Sequence, residues 1–199
     1  DLVRAGGLGD VYRGQALTHA IEAYSVPGFN PLCDGLALQA LTLIARWLPV
    51  AVEEPENLEA RGGMLAGSCL AGIAFLKGLG MVHAISHMVG AEYDTQHGLT
   101  NAVVLPQVVR FNLPVLGDKP ARMAEAMGLG ALSGEEFASH VEGILDGLGI
   151  PRSLKEIGVP DDCAARIAGK AIQDVAATTN PRQATEAEIQ ALIEAALTQ

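Results

Sequence analysis

Apolar residues recur at helical spacing along most of the chain, and no stretch gives a convincing strand pattern. Two of the expected helices begin with a hydroxyl N-cap followed by an acid near the third helical position, Ser133 with Glu136 and Thr185 with Glu188. The pattern therefore predicts an all-α helical bundle, with helices over residues 15–25, 31–47, 56–79, 82–92, 99–111, 120–127, 135–148, 161–175 and 186–197.

The composition agrees with such a bundle. Apolar residues make up 49% of the 199 residues and aromatic residues only 4%, so the core must be filled by Ala, Leu, Ile and Val. Small aliphatic side chains favour close-packed helices. A chain of this length can bury a substantial core as one domain.

The charge limits the partners that we expect. A formal net charge of -10 leaves no basic patch for phosphates, which argues against nucleic acid and against an anionic membrane surface. The nearly charge-free stretch over residues 64–76 is too short to cross a bilayer, and the first residues show no signal-peptide pattern. We expect a cytoplasmic protein with no membrane partner and with reduced cysteines.

Histidines carry the candidate chemistry. His83 and His87 are one helical turn apart and project from the same face, and His97 follows after a polar connection. His19, on a separate predicted helix, supplies a further imidazole of the kind that a nitrogen-rich divalent metal site needs. The spacing suits two ligands, or one ligand beside one proton-transfer group, and ordinary polar residues on a helix and a loop are the alternative. His140 lies on a charged amphipathic helix, where we expect it to be solvated.

The segments around these histidines resemble the group III, iron-containing alcohol dehydrogenases. Ala16-Leu-Thr-His-Ala-Ile-Glu-Ala-Tyr24 is similar to the first signature of that family. A longer segment is similar to the second signature of the family. It consists of Gly80-Met-Val-His-Ala-Ile-Ser-His-Met-Val-Gly90, followed by residues 93–98, 101–106 and 110–112. Asn180-Pro-Arg182, with Thr185 after it, resembles the family's C-terminal ending. Together these segments span nearly the whole chain.

The resemblance implies a role for each histidine. His19, His83 and His97 correspond to metal ligands, and His87 corresponds to a histidine that lies near nicotinamide and substrate, which makes it both a catalytic and a cofactor-binding candidate. The implied metal is Fe2+, with Zn2+ as a chemically plausible alternative. The implied reaction interconverts an alcohol and an aldehyde or ketone, with hydride passing to or from NAD or NADP. A divalent cation supplies Lewis acidity, and a nearby histidine relays the proton.

One departure from the family concerns the fourth metal ligand. The family places an aspartate four residues before the first histidine, where this chain has Gln15, a neutral and weaker ligand. Asp10 is nine residues before His19, and nine residues of one continuous helix turn about 900°, which places the two on opposite sides. Only a helix break near Gly14 would bring Asp10 to the site. Residues 1–14 match the family poorly, so we assign residues 15–199 to the metal-binding domain.

A second departure is that no glycine-rich nucleotide-binding unit is visible in the sequence. We therefore expect an oxidoreductase domain that pairs with a separate nucleotide-binding domain or forms a homo-oligomer, and that acts on a small alcohol or carbonyl compound. The alternative is a catalytically silent helical domain used for metal binding or association. Gln15 favours silence, whereas the full set of His19, His83, His87 and His97 favours catalysis.

Overall fold

A computed structural model of the chain describes residues 8–198, and for residues 8–13 it describes the helix but not the side chains. Residues 1–7, which belong to the poorly matching N-terminal segment, lie outside the described residues. Within the described range the chain forms α-helices joined by short connections and 3-10 turns, without strands, and this confirms the all-α prediction. The helices are α1 (Leu8–Ser25), α2 (Pro31–Glu53), α3 (Leu58–Ala74), α4 (Met81–Tyr93), α5 (His97–Leu116), α6 (Lys119–Ala126), α7 (Gly134–Gly147), α8 (Ala164–Ala171), α9 (Val175–Thr178) and α10 (Glu186–Leu197).

The helix starts are fixed by side-chain caps that the sequence makes available. Both predicted capping boxes form. The side-chain oxygens of Ser133 and Thr185 each accept the backbone N–H of the glutamate three residues later, and that glutamate's carboxylate accepts the backbone N–H of the capping residue. Asn57 caps α3 by accepting from the Ala60 amide, and Gln96 caps α5 by accepting from the Leu99 amide. Because the cap at Gln96 starts α5 at His97, it also fixes the position of that histidine.

Small residues let the helices of the core approach closely. The α2–α3 pair is packed so tightly that a Cβ added to Gly63 would lie 2.2 Å from the Trp47 side chain. A Cβ added to Gly14 would lie 3.1 Å from the Ala102 Cβ, so α1 and α5 also run in close contact. Helix α1 packs against α2, α3 and α5, and α4 packs against α5, α8 and α9. These contacts bring α1, α4 and the start of α5 together.

Several helix bounds differ from the prediction, and α1 already begins at Leu8, seven residues before its predicted start at residue 15. Helix α2 continues past Trp47 and through Pro49 to Glu53, and α5 continues past Phe111 and through Pro114. The helix predicted over residues 161–175 is instead divided into a 3-10 turn, α8 and the short α9. Its second break is at Asp174, whose side chain caps α9 by accepting from the Ala176 amide at 2.8 Å.

The longer helices change the argument about membranes. Within the described residues, Pro31–Glu53 and His97–Leu116 are each long and apolar enough to cross a membrane by length and composition, with 33% and 61% of the most apolar window buried. A third candidate is the pair Leu58–Lys77 and Met81–Tyr93, which is bent by 102°. The shortness of the stretch over residues 64–76 therefore does not exclude a membrane. The sequence argument considered only a nearly charge-free stretch, whereas these two helices are apolar on average although they contain charged residues such as Arg46 and Arg110.

Candidate metal centre

All four predicted histidines of the site lie together. His19 comes from α1, His83 and His87 from α4, and His97 is the first residue of α5. The ring centroids are 4.9 Å apart for His19 and His83, 5.3 Å for His83 and His97, 5.4 Å for His87 and His97, and 5.8 Å for His83 and His87. His140 lies outside this cluster, on α7, beside an apolar cavity of about 380 Å³ between α2 and α7.

The fourth candidate ligand, Gln15, lies one turn before His19 on the same helix and is partly buried. Two residues one turn apart share a helix face, so Gln15 and His19 are placed on the same side of α1. Helix α1 runs from Leu8 to Ser25 without a break near Gly14, so the condition for bringing Asp10 to His19 is not met. The Asp10 side chain itself lies outside the described residues.

Glu22 is a buried carboxylate that sequence reasoning did not single out. Its Oε1 accepts the Val82 amide at 2.8 Å, and its Oε2 accepts the Gly80 amide at 3.1 Å and the Nδ1–H of His83 at 2.6 Å. Both members of the Glu22–His83 pair are nearly inaccessible, with side-chain exposures of 5% and 1%. Glu22 thus caps α4 and holds one ring of the cluster at the same time. A signal was present, because a carboxylate inside a buried helical motif requires a partner.

His87 has a carboxylate partner of its own. Its Nδ1 lies 3.0 Å from Oδ2 of Asp174, whose other oxygen caps α9. Unlike His83, the His87 side chain is 38% exposed. Asp174 was missed because the prediction placed it inside a continuous helix, where its side chain would have had no reason to cap or to reach α4. Both histidines of α4 therefore have a carboxylate at Nδ1, but they differ in access to solvent.

Asn101 marks the point toward which two of the rings are directed. Its buried Nδ2 lies 3.2 Å from Nε2 of His83 and 3.1 Å from Nε2 of His97. Its Oδ1 is buried without a hydrogen-bond partner, and such an orphaned acceptor costs about 1–3 kcal/mol. The amide therefore satisfies two imidazole lone pairs at the expense of its own oxygen.

The side-chain positions of the described residues do not as they stand form a group of three or more His, Cys, Asp or Glu residues that could hold a metal ion. Nδ2 of Asn101 lies between His83 and His97, within hydrogen-bond distance of Nε2 of each ring. The chemistry of the donors nevertheless fits a divalent cation, because imidazole nitrogens with free lone pairs are suitable ligands for Fe2+ and Zn2+. A cation shared by these two rings would replace the Asn101 amide as the partner of both Nε2 atoms.

Burial keeps two of the rings uncharged. The pKa of His19 is lowered to about 3, mainly by burial and further by positive charge on His83 and His97. The pKa of His97 is lowered to about 4 by burial and by His83 and His87, with Glu22 acting in the opposite direction. Both imidazoles are consequently neutral near pH 7, which is the form that binds metals.

Comparison with known proteins gives a consistent set of matches. The family model for the C-terminal part of the Fe-containing alcohol dehydrogenase family matches residues 14–197. The NAD-dependent methanol dehydrogenase of Bacillus methanolicus is 41% identical over 190 residues, which is 92% of this chain and 50% of that protein. The 1,3-propanediol dehydrogenase of Citrobacter freundii is 44% identical over 181 residues, covering 87% of this chain and 47% of that protein.

Solved structures show the same similarity in three dimensions. A crystal structure of a 1,3-propanediol oxidoreductase superposes with a TM-score of 0.92 at 39% identity, covering 98% of this chain and 53% of that one. The alcohol dehydrogenase from Oenococcus oeni superposes with a TM-score of 0.91 at 33% identity, covering 96% and 52%. The chain therefore spans about half the length of the relatives that it matches.

Proposed function

This chain belongs to the Fe-containing alcohol dehydrogenase family, and on that premise we propose that it carries the metal-binding and proton-transfer residues of a nicotinamide-dependent alcohol dehydrogenase. The reaction would interconvert an alcohol and an aldehyde or ketone, using NAD or NADP. The proposal rests above all on one observation: four imidazoles from three helices have ring centroids only 4.9–5.8 Å from their neighbours.

In this proposal His19, His83 and His97 bind a divalent cation, and Gln15 occupies the position of the fourth ligand. Fe2+ is the metal that we expect, with Zn2+ as the alternative. The bound cation would supply Lewis acidity to the oxygen of the alcohol or carbonyl substrate. The neutrality of His19 and His97 supports this assignment, because a protonated imidazole has no lone pair for a metal.

His87 has the separate role of contacting the nicotinamide cofactor and substrate and of moving a proton. Asp174 holds its Nδ1, which leaves Nε2 available for the reacting hydroxyl group. The partial exposure of the ring supports this role, because a relay must exchange its proton with water. A positioned histidine contributes roughly a hundredfold or more to such a reaction.

The surface beside the cluster supports association with a further domain. Leu76, which follows the Phe75 ring that contacts His19, is 78% exposed. Val175, which follows Asp174, is 77% exposed. Exposed apolar side chains next to a site are typical of surfaces that a partner covers. We propose that a nucleotide-binding half, present in relatives of twice this length, or a second copy of the chain covers them.

A direct test joins this chain to the N-terminal half of a 1,3-propanediol dehydrogenase and measures reduction of NAD and NADP after anaerobic loading with Fe2+. Methanol, 1,3-propanediol, 4-hydroxybutyrate and lactaldehyde, the last assayed in the reverse direction, are suitable substrates because relatives are named for acting on them. We expect turnover that is lost in His83→Ala.

The competing proposal is that the chain is a catalytically silent metal-binding domain, and Gln15 favours this alternative. Metal bound by the chain together with no turnover of any of these compounds in the joined protein would support that alternative and refute catalysis. The matched joined protein with an aspartate at position 15 separates the two cases, because activity gained only there would identify Gln15 as the cause of silence.

A further inference from the structure

The Glu22 carboxylate connects the start of α4 to the cluster of histidines. Three donors converge on its two oxygens: the backbone amides of Gly80 and Val82, and Nδ1–H of His83. An ordinary cap would come from the residue that begins the helix, but Gly80 has no side chain, and a Cβ there would lie 2.6 Å from Oε1 of Glu22. Glu22, which lies on α1, therefore both caps the start of α4 and holds the His83 ring.

The contact with His83 determines where that ring carries its proton. An ionised carboxylate only accepts hydrogen bonds, so Nδ1 of His83 must be the protonated nitrogen. Nε2 then keeps its lone pair, and it is the atom that lies 3.2 Å from Nδ2 of Asn101, the amide that also contacts Nε2 of His97. The ring is therefore presented with its free nitrogen toward the shared position.

We propose that Glu22 is a positioning residue of the metal site, which holds His83 in the Nδ1–H tautomer and places a negative charge behind that ligand. This inference rests on the proposed function of His83 as a ligand. A carboxylate behind a ligating histidine orients the ring and raises its basicity. Because the family's aspartate is replaced by Gln15, the Glu22 charge acting through His83 compensates part of the cation's charge that three imidazoles and an amide leave unbalanced.

Glu22→Gln removes the charge with little change in shape. Because Oε2 accepts both the Gly80 amide and Nδ1–H of His83, a glutamine oxygen in that place keeps two of the three hydrogen bonds, and the NH2 group, which only donates, replaces Oε1 beside Val82. The tautomer of His83 is then retained, whereas the negative charge behind the ligand is lost. A residue that merely capped α4 would leave the affinity for metal unchanged in a folded Glu22→Gln.

The first measurement is ¹⁵N NMR of histidine rings in the metal-free chain, with the His83 signals identified by their loss in His83→Ala. We expect the Nδ1–H tautomer for His83 in the wild type, and the same tautomer in Glu22→Gln because the amide oxygen can take the place of Oε2. A wild-type His83 protonated on Nε2 overturns the inference, and this outcome can be read even if Glu22→Gln does not fold.

The second measurement is calorimetric titration with Zn2+, with folding of each variant verified by circular dichroism. We expect Glu22→Gln to weaken Zn2+ binding by about 10- to 100-fold. Asp174→Asn is the matched control, since it makes the same carboxylate-to-amide change on His87 while an asparagine still caps α9. Its affinity should stay within about threefold of the wild type, because on the proposed function His87 binds no metal.

The outcomes separate this inference from the proposed function. Wild-type affinity in a folded Glu22→Gln, or an equal loss in Asp174→Asn, overturns the role of Glu22 and leaves the metal site standing. A wild-type chain that shows the Nδ1–H tautomer but takes up no Zn2+ overturns the metal site itself, and the role of Glu22 with it.

Discussion

Acidification of the metal-free protein should remove stability through two rings of the cluster. The pKa values of His19 and His97 are about 3 and about 4 in the folded chain, against an ordinary value of 6.5. Both are depressed, so the unfolded chain binds more protons than the folded one below pH 6.5. The stability that these neutral rings contribute is fully present above that pH and is lost as the pH falls toward the folded values.

The size of the loss follows from the two pKa values. The pKa of His97 is 6.5 in the unfolded chain and about 4 in the folded chain. This difference lowers the free energy of unfolding by about 2 kcal/mol at pH 5. His19 gives a similar figure. Because positive charge on His97 is part of what lowers the pKa of His19, the two losses are coupled and their joint value is smaller than the sum, about 2–3 kcal/mol. Carboxylates contribute little between pH 7 and pH 5, because their ordinary pKa values lie near 4.

Urea unfolding in the presence of EDTA, followed by circular dichroism at pH 7 and pH 5, measures this difference. His97→Gln is the informative variant, since it removes one titrating ring and should lose about half of the pH dependence. Equal unfolding free energies at the two pH values in the wild type would refute the assignment of the depressed pKa values. An unchanged pH dependence in His97→Gln would also refute it, because His97 could then not be among the groups that take up protons when the chain unfolds.

Four further predictions concern the proposed metal and proton chemistry. His83→Ala should remove most of the bound Fe2+ or Zn2+ as measured by elemental analysis, and unchanged metal content would contradict the site. Gln15→Asp adds an anionic oxygen beside His19 and should tighten divalent-metal binding at least tenfold, about 1.4 kcal/mol; equal affinities in anaerobic calorimetry would show that position 15 does not face the cation. In the joined protein, His87→Ala should slow turnover by roughly a hundredfold while metal stays bound, and loss of metal instead would make His87 a ligand. Asp174→Asn should also slow turnover. An unchanged pH–rate profile in this variant would show that Asp174 does not act through His87.

The helical pattern predicts the bundle well because local signals and burial agree along most of the chain. The capping boxes at Ser133 and Thr185 form as expected. The errors occur where a local signal is overridden by packing. Proline disfavours a helical conformation in the residue before it, and the predicted helices stopped short of Pro49 and Pro114. The real helices continue, with buried residues such as Ala51 and Leu116 beyond each proline.

The histidines of the site are visible in the sequence because their spacing and flanking motifs are local. Their carboxylate partners are not, since 61 residues separate Glu22 from His83 and 87 separate Asp174 from His87. No helical period connects such positions. Only the packing of α9 against α4, and of both α1 and α4 against α5, brings them together.

Each of these carboxylates also caps a helix, Glu22 at the start of α4 and Asp174 at the start of α9. The same group thus fixes where a helix begins and which nitrogen of a histidine is free, so the orientation of both rings is a consequence of the fold. The pairs differ in burial, since His83 is sealed from water and His87 is 38% exposed. A ring without contact to solvent can present a lone pair but cannot readily exchange a proton, whereas a ring at the surface of the cluster can do so. That difference in access, more than any difference in hydrogen bonding, supports a ligand role for His83 and a relay role for His87.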